Sequence, residues 1–346
     1  MGSKILRQGD RYKAKLEKTL TDGKVTRREV AAILRDARDG EFKQVEAHYL
    51  SGFVGLDATK FDPVAREKLL SFVKTEMIAL AEIAGDTGLS GVRGQPPLTA
   101  DSAKTGEVTF EKVQGTLTVN GFQMDDAMQG QVGDCYLISS LASVAHAKPA
   151  LLEKAIKTNT DGTYTVTFYE RKPNQTKPTP VEITVDATFA QRAGGRLEYC
   201  TPRSSGELWP MVFEKAYASW KGGFDAIEGG MAATTLEALT GKKPEFFPVD
   251  ASLGAPDIFA KLKKGFASGA AVVALSKPWE PVEQGVVTDH AYSVLGVEEK
   301  AGQKFVKLRN PWGQREPGRD GRDDGLFTMP LEKFLASFAT VELAKL

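Results

Sequence analysis

The chain contains, at residues 129–146, the stretch QGQVGDCYLISSLASVAH. Its apolar positions within 137–145 recur at the spacing of one helix face, and Asp134 just before them is a residue type preferred at a helix N-cap. We therefore predict a helix that has Cys135 in its first turn and runs to about His146. The helix dipole and the free backbone N–H groups there lower a thiol pKa and favour a reactive thiolate. The alternative is that Cys135 is a small apolar core residue.

A candidate base and its orienting partner lie in two later segments. Residues 290–297 and 304–310 are both strand-like, and the residues between them are mostly polar. Folded as a hairpin about Lys300, these strands place His290 at the start of one and Asn310 at the end of the other, within side-chain reach.

These residues together predict thiol catalysis. A nucleophilic cysteine needs a base, and the imidazole of that base needs a third group that fixes its orientation and tautomer. Cys135, His290 and Asn310 fill these roles. The other two histidines of the chain have simpler explanations, since His48 lies in a polar N-terminal helix and His146 ends the cysteine helix, where the dipole favours it.

The order of these segments resembles the protease core of the calpains, the calcium-dependent members of the papain-like cysteine proteases, and in particular a bacterial calpain-like protein. The resemblance runs from about Thr105 to Leu346. It is carried by residues 129–135, 207–217, 224–230, 290–296, 308–313 and 324–329, with Phe334 and Phe338. It implies an α+β fold: a papain-like two-lobed core, with a helical lobe for the cysteine and a β-rich lobe for the histidine and asparagine, after an N-terminal all-α domain.

The resemblance also implies roles for single residues. Cys135 is the nucleophile, His290 the base and then the acid, and Asn310 the orienting group. The side-chain amide of Gln129 joins the Cys135 N–H in the oxyanion hole, and Trp312 covers the hydrogen bond between histidine and asparagine.

Two positions depart from the family pattern. Tyr136 stands where the family usually has tryptophan, and Asp289 stands before the histidine where glycine is usual. A carboxylate at position 289 is expected to raise the pKa of the neighbouring imidazole.

Calcium binding is a further implication of the resemblance. One family site matches Val119, Gly121, Asp126 and Glu214, which offer the oxygen ligands that Ca²⁺ prefers. The alternative is that these two carboxylates are ordinary loop and helix-surface residues. A second site retains Glu316 and Asp324, but Leu326 stands where another carboxylate is expected, so we expect at most one tight calcium in the core.

The N-terminal part, residues 1–90, is expected to be a helical domain. The pattern Asp-Gly-x-hydrophobic-x-x-x-Glu occurs at Asp22–Glu29 and again at Asp39–Glu46. It resembles the second half of an EF-hand loop but lacks the early carboxylates, so two turns with helix caps are expected rather than metal sites. The remaining divisions are a Gly- and Pro-rich linker at 91–105, the lobe with the nucleophile at 106–245 and the lobe with histidine and asparagine at 246–346.

Composition excludes several classes. The 346 residues carry a formal net charge of +0, which gives no argument for nucleic acid or an anionic membrane. Two cysteines give no disulfide framework. The start is not a signal peptide and no apolar run reaches membrane-spanning length, so we expect a cytoplasmic protein that acts on protein or peptide substrates, of undetermined oligomeric state.

Two other functions remain open on the sequence. A transglutaminase-like acyl transferase uses the same thiol chemistry but usually orients its histidine with aspartate, which Asn310 argues against. A catalytically silent, calcium-responsive interaction protein would not need Cys135, His290 and Asn310 together.

Overall fold

A computed structural model of the protein describes residues 2–39, 42–77, 91–92, 94–172, 175–249, 254–279, 281–318 and 321–346. The fold mixes helices and sheets. The helices are α1 (Gly2–Lys18), α2 (Arg27–Asp39), α3 (Gln44–Val54), α4 (Pro63–Phe72), α5 (Ala100–Thr105), α6 (Cys135–Ala147), α7 (Ala150–Ala155), α8 (Trp209–Lys221), α9 (Ala232–Thr240), α10 (Gly254–Ala267) and α11 (Leu331–Ser337), with short 3-10 turns at Ala58–Lys60 and Asp225–Ile227 and a π-helical turn at Val73–Met77.

The strands form sheets of two to six strands. They are β1 (Gly91–Val92), β2 (Thr109–Lys112), β3 (Ala127–Met128), β4 (Ile156–Thr158), β5 (Tyr164–Glu170), β6 (Thr179–Val185), β7 (Thr188–Arg192), β8 (Arg196–Leu197), β9 (Thr201–Pro202), β10 (Glu245–Pro248), β11 (Ala270–Ser276), β12 (Ala291–Lys300), β13 (Gln303–Arg309), β14 (Leu326–Pro330) and β15 (Phe338–Lys345).

The largest sheet is antiparallel, with the strand order β10-β15-β11-β12-β13-β14. Every residue of β11 is buried, as its continuous apolar run requires. Helix α6 lies across β11 and β12, and serine hydroxyls join it to the sheet: Ser139 donates to the Ala291 carbonyl (3.0 Å), Ser293 to the Ser139 carbonyl (2.8 Å) and Ser143 to the Val272 carbonyl (2.8 Å). The helix that carries the cysteine is therefore fixed to the strand that follows the histidine.

The helix and the hairpin expected from the sequence are both present. Helix α6 begins at Cys135 and ends at Ala147. Strands β12 and β13 pair up to Lys300 and Gln303, and the turn residues Ala301 and Gly302 both have positive φ, at 50° and 78°. This tight turn fixes the register, so that His290 immediately precedes β12 and Asn310 immediately follows β13.

The part of the chain expected to be a helical lobe is not mainly helical. Within the described residues of 106–245, strands β5 and β6 pair as expected, with Tyr164 opposite Val185. Strand β4 extends that sheet on one side, and β1, from residues 91–92, extends it on the other; two smaller sheets, β2-β7-β8 and β3-β9, are also present. Alternate burial along β5 shows why these segments pair, since half of each strand faces the core. The mixed helix-and-sheet class is confirmed, and the division into a helical and a β-rich lobe stays a prediction.

The N-terminal helices α1–α4 include both Asp-Gly repeats. In each repeat the closing glutamate accepts a backbone hydrogen bond at the start of a helix: Thr26 N donates to Glu29 (2.8 Å) and Lys43 N donates to Glu46 (2.8 Å). Both glutamates are helix caps, as expected, although residues 40 and 41 of the second repeat lie outside the described residues. Within the described ranges no group of three or more histidine, cysteine, aspartate or glutamate side chains is placed to hold a metal.

The segment expected to be a linker is only partly described. Residue 93 of this segment, like residues 78–90 before it, lies outside the described residues. Residues 100–105 form α5, with Thr99 accepting the Ser102 amide as its cap, so this part is not an open linker. The division of the chain into domains at these boundaries stays a prediction.

Helices α1–α4 pack directly against the rest of the chain. Their buried apolar side chains form one cluster with Met231, Ala233 and Phe246. Gly52 lies against Pro278, and a side chain at Gly55 would meet the Ala339 carbonyl at 2.4 Å. The N-terminal helices are thus docked on the rest of the fold through an apolar interface. None of the described helices combines the length and the apolar character needed to cross a bilayer.

Candidate active site

Cys135 opens helix α6 in a buried position, with 7% of its surface exposed. Its sulfur accepts a hydrogen bond from the amide of Ala291 (3.5 Å), the residue after His290. Asp134 is the N-cap residue, but its side chain makes no capping hydrogen bond. Both oxygens of its carboxyl are buried without a hydrogen-bond donor among the described residues. Its neighbour is Glu214, whose carboxylate accepts the Cys200 amide (2.9 Å). Burial and this neighbouring acid raise the pKa of Glu214 well above its ordinary value.

His290 and Asn310 meet at the open ends of β12 and β13. His290 Nε2 donates to Asn310 Oδ1 (3.0 Å), and both residues are buried. The amide of Trp312 donates to the same oxygen (3.1 Å), while Asn310 Nδ2 donates to the Arg315 carbonyl (3.2 Å). The Trp312 ring lies over the His290 ring, with centroids 4.6 Å apart. With Nε2 committed to asparagine, Nδ1 is the nitrogen free to exchange a proton with a thiol.

The thiol and the imidazole are both held neutral. Burial, followed by the charges of Asp134 and Asp289, raises the pKa of Cys135 to about 12. Burial lowers the pKa of His290 to about 4, although the Asn310 hydrogen bond and the Asp289 charge act in the opposite direction. The expected effect of Asp289 on the imidazole is therefore present but smaller than the effect of desolvation.

Gln129 lies on the loop that leads to Cys135. Its Nε2 donates to the Val132 carbonyl (2.8 Å), which leaves the second N–H of the amide for another acceptor. Its backbone N–H donates to the Pro311 carbonyl (2.9 Å), next to Asn310. Gly130 follows in a space without room for a side chain, since a Cβ there would meet the Tyr199 carbonyl at 2.0 Å.

Asp289 has a left-handed backbone (φ 55°), a conformation that glycine adopts at least cost. Its carboxylate is held by two cations from the N-terminal helices: His48 Nε2 donates to Oδ1 (2.7 Å), and Lys13 Nζ lies 3.6 Å from Oδ2. His48 Nδ1 donates to the Gly230 carbonyl (3.1 Å). Because both ring nitrogens face acceptors, His48 is an imidazolium.

The environment of His48 differs from the sequence-based expectation. Ten of the eleven residues of α3 are buried, and His48 is among them, so the helix is not a polar surface helix. Burial lowers the pKa of His48, but the Asp289 charge and hydrogen bond outweigh it and leave the pKa raised. His146 lies in the last turn of α6, as expected; it is exposed, and its Nε2 donates to the Leu295 carbonyl (2.8 Å). A signal for the His48 contact was the aspartate at position 289, where the family pattern has glycine.

The residues expected for the first calcium site do not all meet. Asp126 Oδ2 accepts the Gln123 amide (2.7 Å) and the Trp209 indole N–H (2.9 Å), and its carboxyl lies within hydrogen-bonding reach of Glu207. Glu214 has Asp134 and the Cys200 amide as its neighbours, so its part in a calcium site stays a prediction. The acid that does lie beside Asp126, and that was not expected there from the sequence, is Glu207, two residues before the start of α8.

Glu207 completes an acidic pair with Asp126. Its Oε1 accepts the amide of Val119 (2.9 Å), which adjoins the loop residue Gly121, and its Oε2 is buried without a donor among the described residues. Burial and the Asp126 charge raise the pKa of Glu207 to about 7. A signal for it was its position two residues before Trp209, whose indole binds Asp126.

The second set of calcium residues is engaged with backbone amides. Glu316 accepts the Gly325 amide (2.9 Å) and Asp324 accepts the Leu326 amide (3.0 Å). Arg203 connects this loop to the first one, since it donates to the carbonyls of Asp125 and Asp324 (3.2 Å each). These carboxylates accept hydrogen bonds within the loop, and the expectation of at most one tight calcium in the core stays a prediction. Tyr136, the other departure from the family pattern, is buried and donates to the Ile227 carbonyl (3.0 Å).

Comparison with known proteins agrees with this geometry. The family described as calpain family cysteine protease matches residues 104–319, well over half of the chain. Calpain clp-1 of Caenorhabditis elegans is 27% identical over 286 residues, which cover 73% of this chain and 36% of the worm protein. The calpain-type cysteine protease ADL1 of Oryza sativa subsp. japonica is 31% identical over 225 residues, 62% of this chain and 10% of the rice protein.

A bacterial relative is also similar. A thiol protease of Porphyromonas gingivalis is 27% identical over 259 residues, which cover 62% of this chain and 53% of that protein. The chain thus spans only a minor part of the worm and rice relatives and about half of this bacterial one. The family match over residues 104–319, together with these relatives, establishes that the chain belongs to the calpain family of cysteine proteases.

Proposed function

We propose that the chain is a cysteine endopeptidase in which Cys135 is the nucleophile, His290 the acid–base group and Asn310 its orienting partner. The observation that carries this proposal is the hydrogen bond between His290 and Asn310, placed one residue from the amide that contacts the Cys135 sulfur. The arrangement has the three parts that thiol catalysis needs, on a helix start and two strand ends.

The proposed reaction begins with proton transfer from Cys135 to His290 Nδ1. The thiolate attacks the peptide carbonyl carbon, a C–S bond forms, and the oxyanion is stabilised by the Cys135 N–H and the free N–H of Gln129. The C–N bond breaks as His290 gives its proton to the leaving amine. Water, deprotonated by His290, then hydrolyses the thioester and restores the thiol.

The resting protonation states set a condition on this chemistry. Both groups are neutral because they are buried, and an imidazolium–thiolate pair becomes favourable only when the site gains water or substrate dipoles. The proposal therefore includes a change in the surroundings of Cys135 before catalysis. The cleft for the substrate would lie between a part with α6 and a part with β12 and β13, as in a papain-like two-lobed core.

The experiment compares the full chain with Cys135→Ala and His290→Ala on casein, and on a labelled primary amine to detect acyl transfer. We expect peptide hydrolysis by the unchanged chain, no amine incorporation, and no hydrolysis by either variant at unchanged melting temperature. Hydrolysis by Cys135→Ala would refute the assignment. Amine incorporation would favour an acyl transferase, and inactivity of the unchanged chain after Cys135 has become freely accessible would favour an interaction protein.

We also propose a calcium site at Asp126 and Glu207, with the carbonyls of Val119 and Gly121 as further ligands. Two buried acids in contact, one with an oxygen that lacks a donor, suit a bound cation. Calcium would supply the positive charge that lets both acids ionise. Asp126 and Glu207 would then hold the loop before Gln129 against the start of α8, which couples calcium affinity to order in the oxyanion hole.

A further inference from the structure

The N-terminal helix α3 spans the two sides of the candidate active site. On the cysteine side, Gly229 N donates to the carbonyl of Gly133 (2.9 Å), two residues before Cys135. The Val45 side chain fills the space beside Gly229, since a Cβ there would meet its Cγ2 at 2.9 Å. On the histidine side lies Asp289, directly before His290.

His48 connects these two sides with one imidazolium ring. It donates to the Gly230 carbonyl at 3.1 Å and to the Asp289 carboxylate at 2.7 Å. Gly230 lies against the segment of the nucleophile, since a Cβ there would meet the Tyr136 ring at 2.4 Å. A peptide that reaches Cys135 past this segment would meet the Gly230 carbonyl as a backbone acceptor. That acceptor is used by His48, and the space beside Gly229 is filled by Val45.

The contact is strong enough to hold α3 in place. A hydrogen bond between charged partners that are largely shielded from water is among the stronger single interactions, and Lys13 of α1 adds a second cation at 3.6 Å from Asp289. Apolar packing against Met231, Ala233 and Phe246 supports it.

Without this contact, the backbone conformation of Asp289 would lower the stability of the fold. A non-glycine residue with φ 55° stores backbone strain that surrounding contacts must offset. Its side chain has its close partners on the N-terminal helices, His48 and Lys13, so the aspartate serves the docking of these helices rather than the His290 imidazole.

From these contacts we infer that the N-terminal helices are an intramolecular inhibitor, which covers the substrate path of the proposed protease through the His48 bridge between Gly230 and Asp289. The inference rests on the proposed endopeptidase function. Withdrawal of α3 would free the Gly230 carbonyl and open the space at Gly229. It would also admit water to Cys135 and His290, which is the change in surroundings that the proposed proton transfer from the thiol to the imidazole requires.

The test uses the full chain with His48→Leu, Asp289→Gly and the matched control His146→Leu, which alters an exposed histidine. The first readout is the rate of alkylation of Cys135 by iodoacetamide, followed by mass spectrometry with the buried Cys200 as internal reference. Loss of a charged hydrogen bond is expected to raise the Cys135 rate by about tenfold or more. The control should label at the wild-type rate, and Cys200 should stay unlabelled.

The second readout is kcat/KM on a peptide substrate, which should rise in parallel with labelling. Unchanged or slower labelling of Cys135 in the folded variants would overturn the inference, and so would a fall in kcat with unchanged labelling, because that pattern indicates a positioning role. Asp289→Gly keeps the backbone relaxed and Lys13→Gln changes only a partly exposed side chain, so folded variants remain available if His48→Leu is unstable. Faster labelling without hydrolysis would support the inhibitor and refute the protease.

Discussion

Replacement of Asn310 tests the centre of the proposed site. Asn310 is fully buried and makes three hydrogen bonds, to His290 Nε2, Trp312 N and the Arg315 carbonyl. Asn310→Ala removes all three. Trp312 and Arg315 are near solvent and can bind water, but the His290 N–H is left in a site that is only 5% exposed.

The magnitude follows from these contacts. One unsatisfied buried donor costs about 1–3 kcal/mol, and the small cavity adds to it, so we expect the free energy of unfolding to fall by about 2–4 kcal/mol. Without its orienting bond the imidazole samples other rotations, and kcat/KM should fall by about 10²-fold at constant Cys135 accessibility.

Asn310→Asp is the matched comparison. Aspartate keeps the oxygen that accepts from His290 and Trp312 but loses the donor to the Arg315 carbonyl. Its negative charge should raise the pKa of His290 and move the alkaline limb of the kcat/KM profile to higher pH. The assay is peptide hydrolysis across pH for both variants, with thermal unfolding measured beside it.

Two results would refute this reasoning. Full kcat/KM in folded Asn310→Ala would show that the asparagine does not orient the base. An unshifted pH profile in an active Asn310→Asp variant would show that the residue at position 310 does not control the imidazole during catalysis.

Three further predictions follow from the site. Gln129→Ala should lower kcat by about 10²-fold, whereas the exposed neighbour variant Gln131→Ala should not; equal effects would remove Gln129 from the oxyanion hole. By titration calorimetry in a Cys135→Ala background, Glu207→Gln or Asp126→Asn should abolish calcium binding and Glu214→Gln should retain it; two tight sites, or binding that persists in Glu207→Gln, would contradict the assignment. The His48 pKa is raised and the Asp289 pKa lowered, so the docking contact is present below the pKa of His48 and above that of Asp289. The other charged groups near this pair are Glu342 and Lys13, and His290 is neutral. As pH rises through the His48 pKa, the alkylation rate of Cys135 in His48→Leu, divided by the wild-type rate, should therefore fall towards one. A ratio that stays constant with pH would show that a charged His48 does not hold the contact.

Short-range sequence patterns were sufficient to predict the parts of the site that one helix start or one hairpin determines. The two strand-like runs around Lys300 allow one tight turn, which brings the start of β12 and the end of β13 together, so the meeting of His290 and Asn310 could be predicted. The one-residue register shift between Val294 and Gly296 could not be predicted. The start of α6 at Cys135 followed from Asp134 and the apolar spacing, even though the Asp134 side chain does not act as the cap.

Long-range partners could not be predicted in this way. Glu207 and Glu214 are residues of one type, seven positions apart at the start of one helix, and only tertiary packing decides which of them meets Asp126. His48 and Asp289 are separated by 241 residues. Sequence periodicity can predict which face of a helix is buried. It cannot predict which distant carboxylate will bind a histidine on that face.

The hydrogen bond from Gln129 N to the Pro311 carbonyl has a consequence for mutational scanning. It joins the loop before the nucleophile to the loop after the asparagine through main-chain atoms alone, so no side-chain truncation can delete it. Gly130, pressed against the Tyr199 carbonyl, keeps this backbone in register. In a saturation library sorted by abundance, Gly130 should therefore tolerate fewer substitutions than the proposed catalytic side chains, and inactive variants at Cys135 should accumulate as well-folded protein suited to trapping substrates.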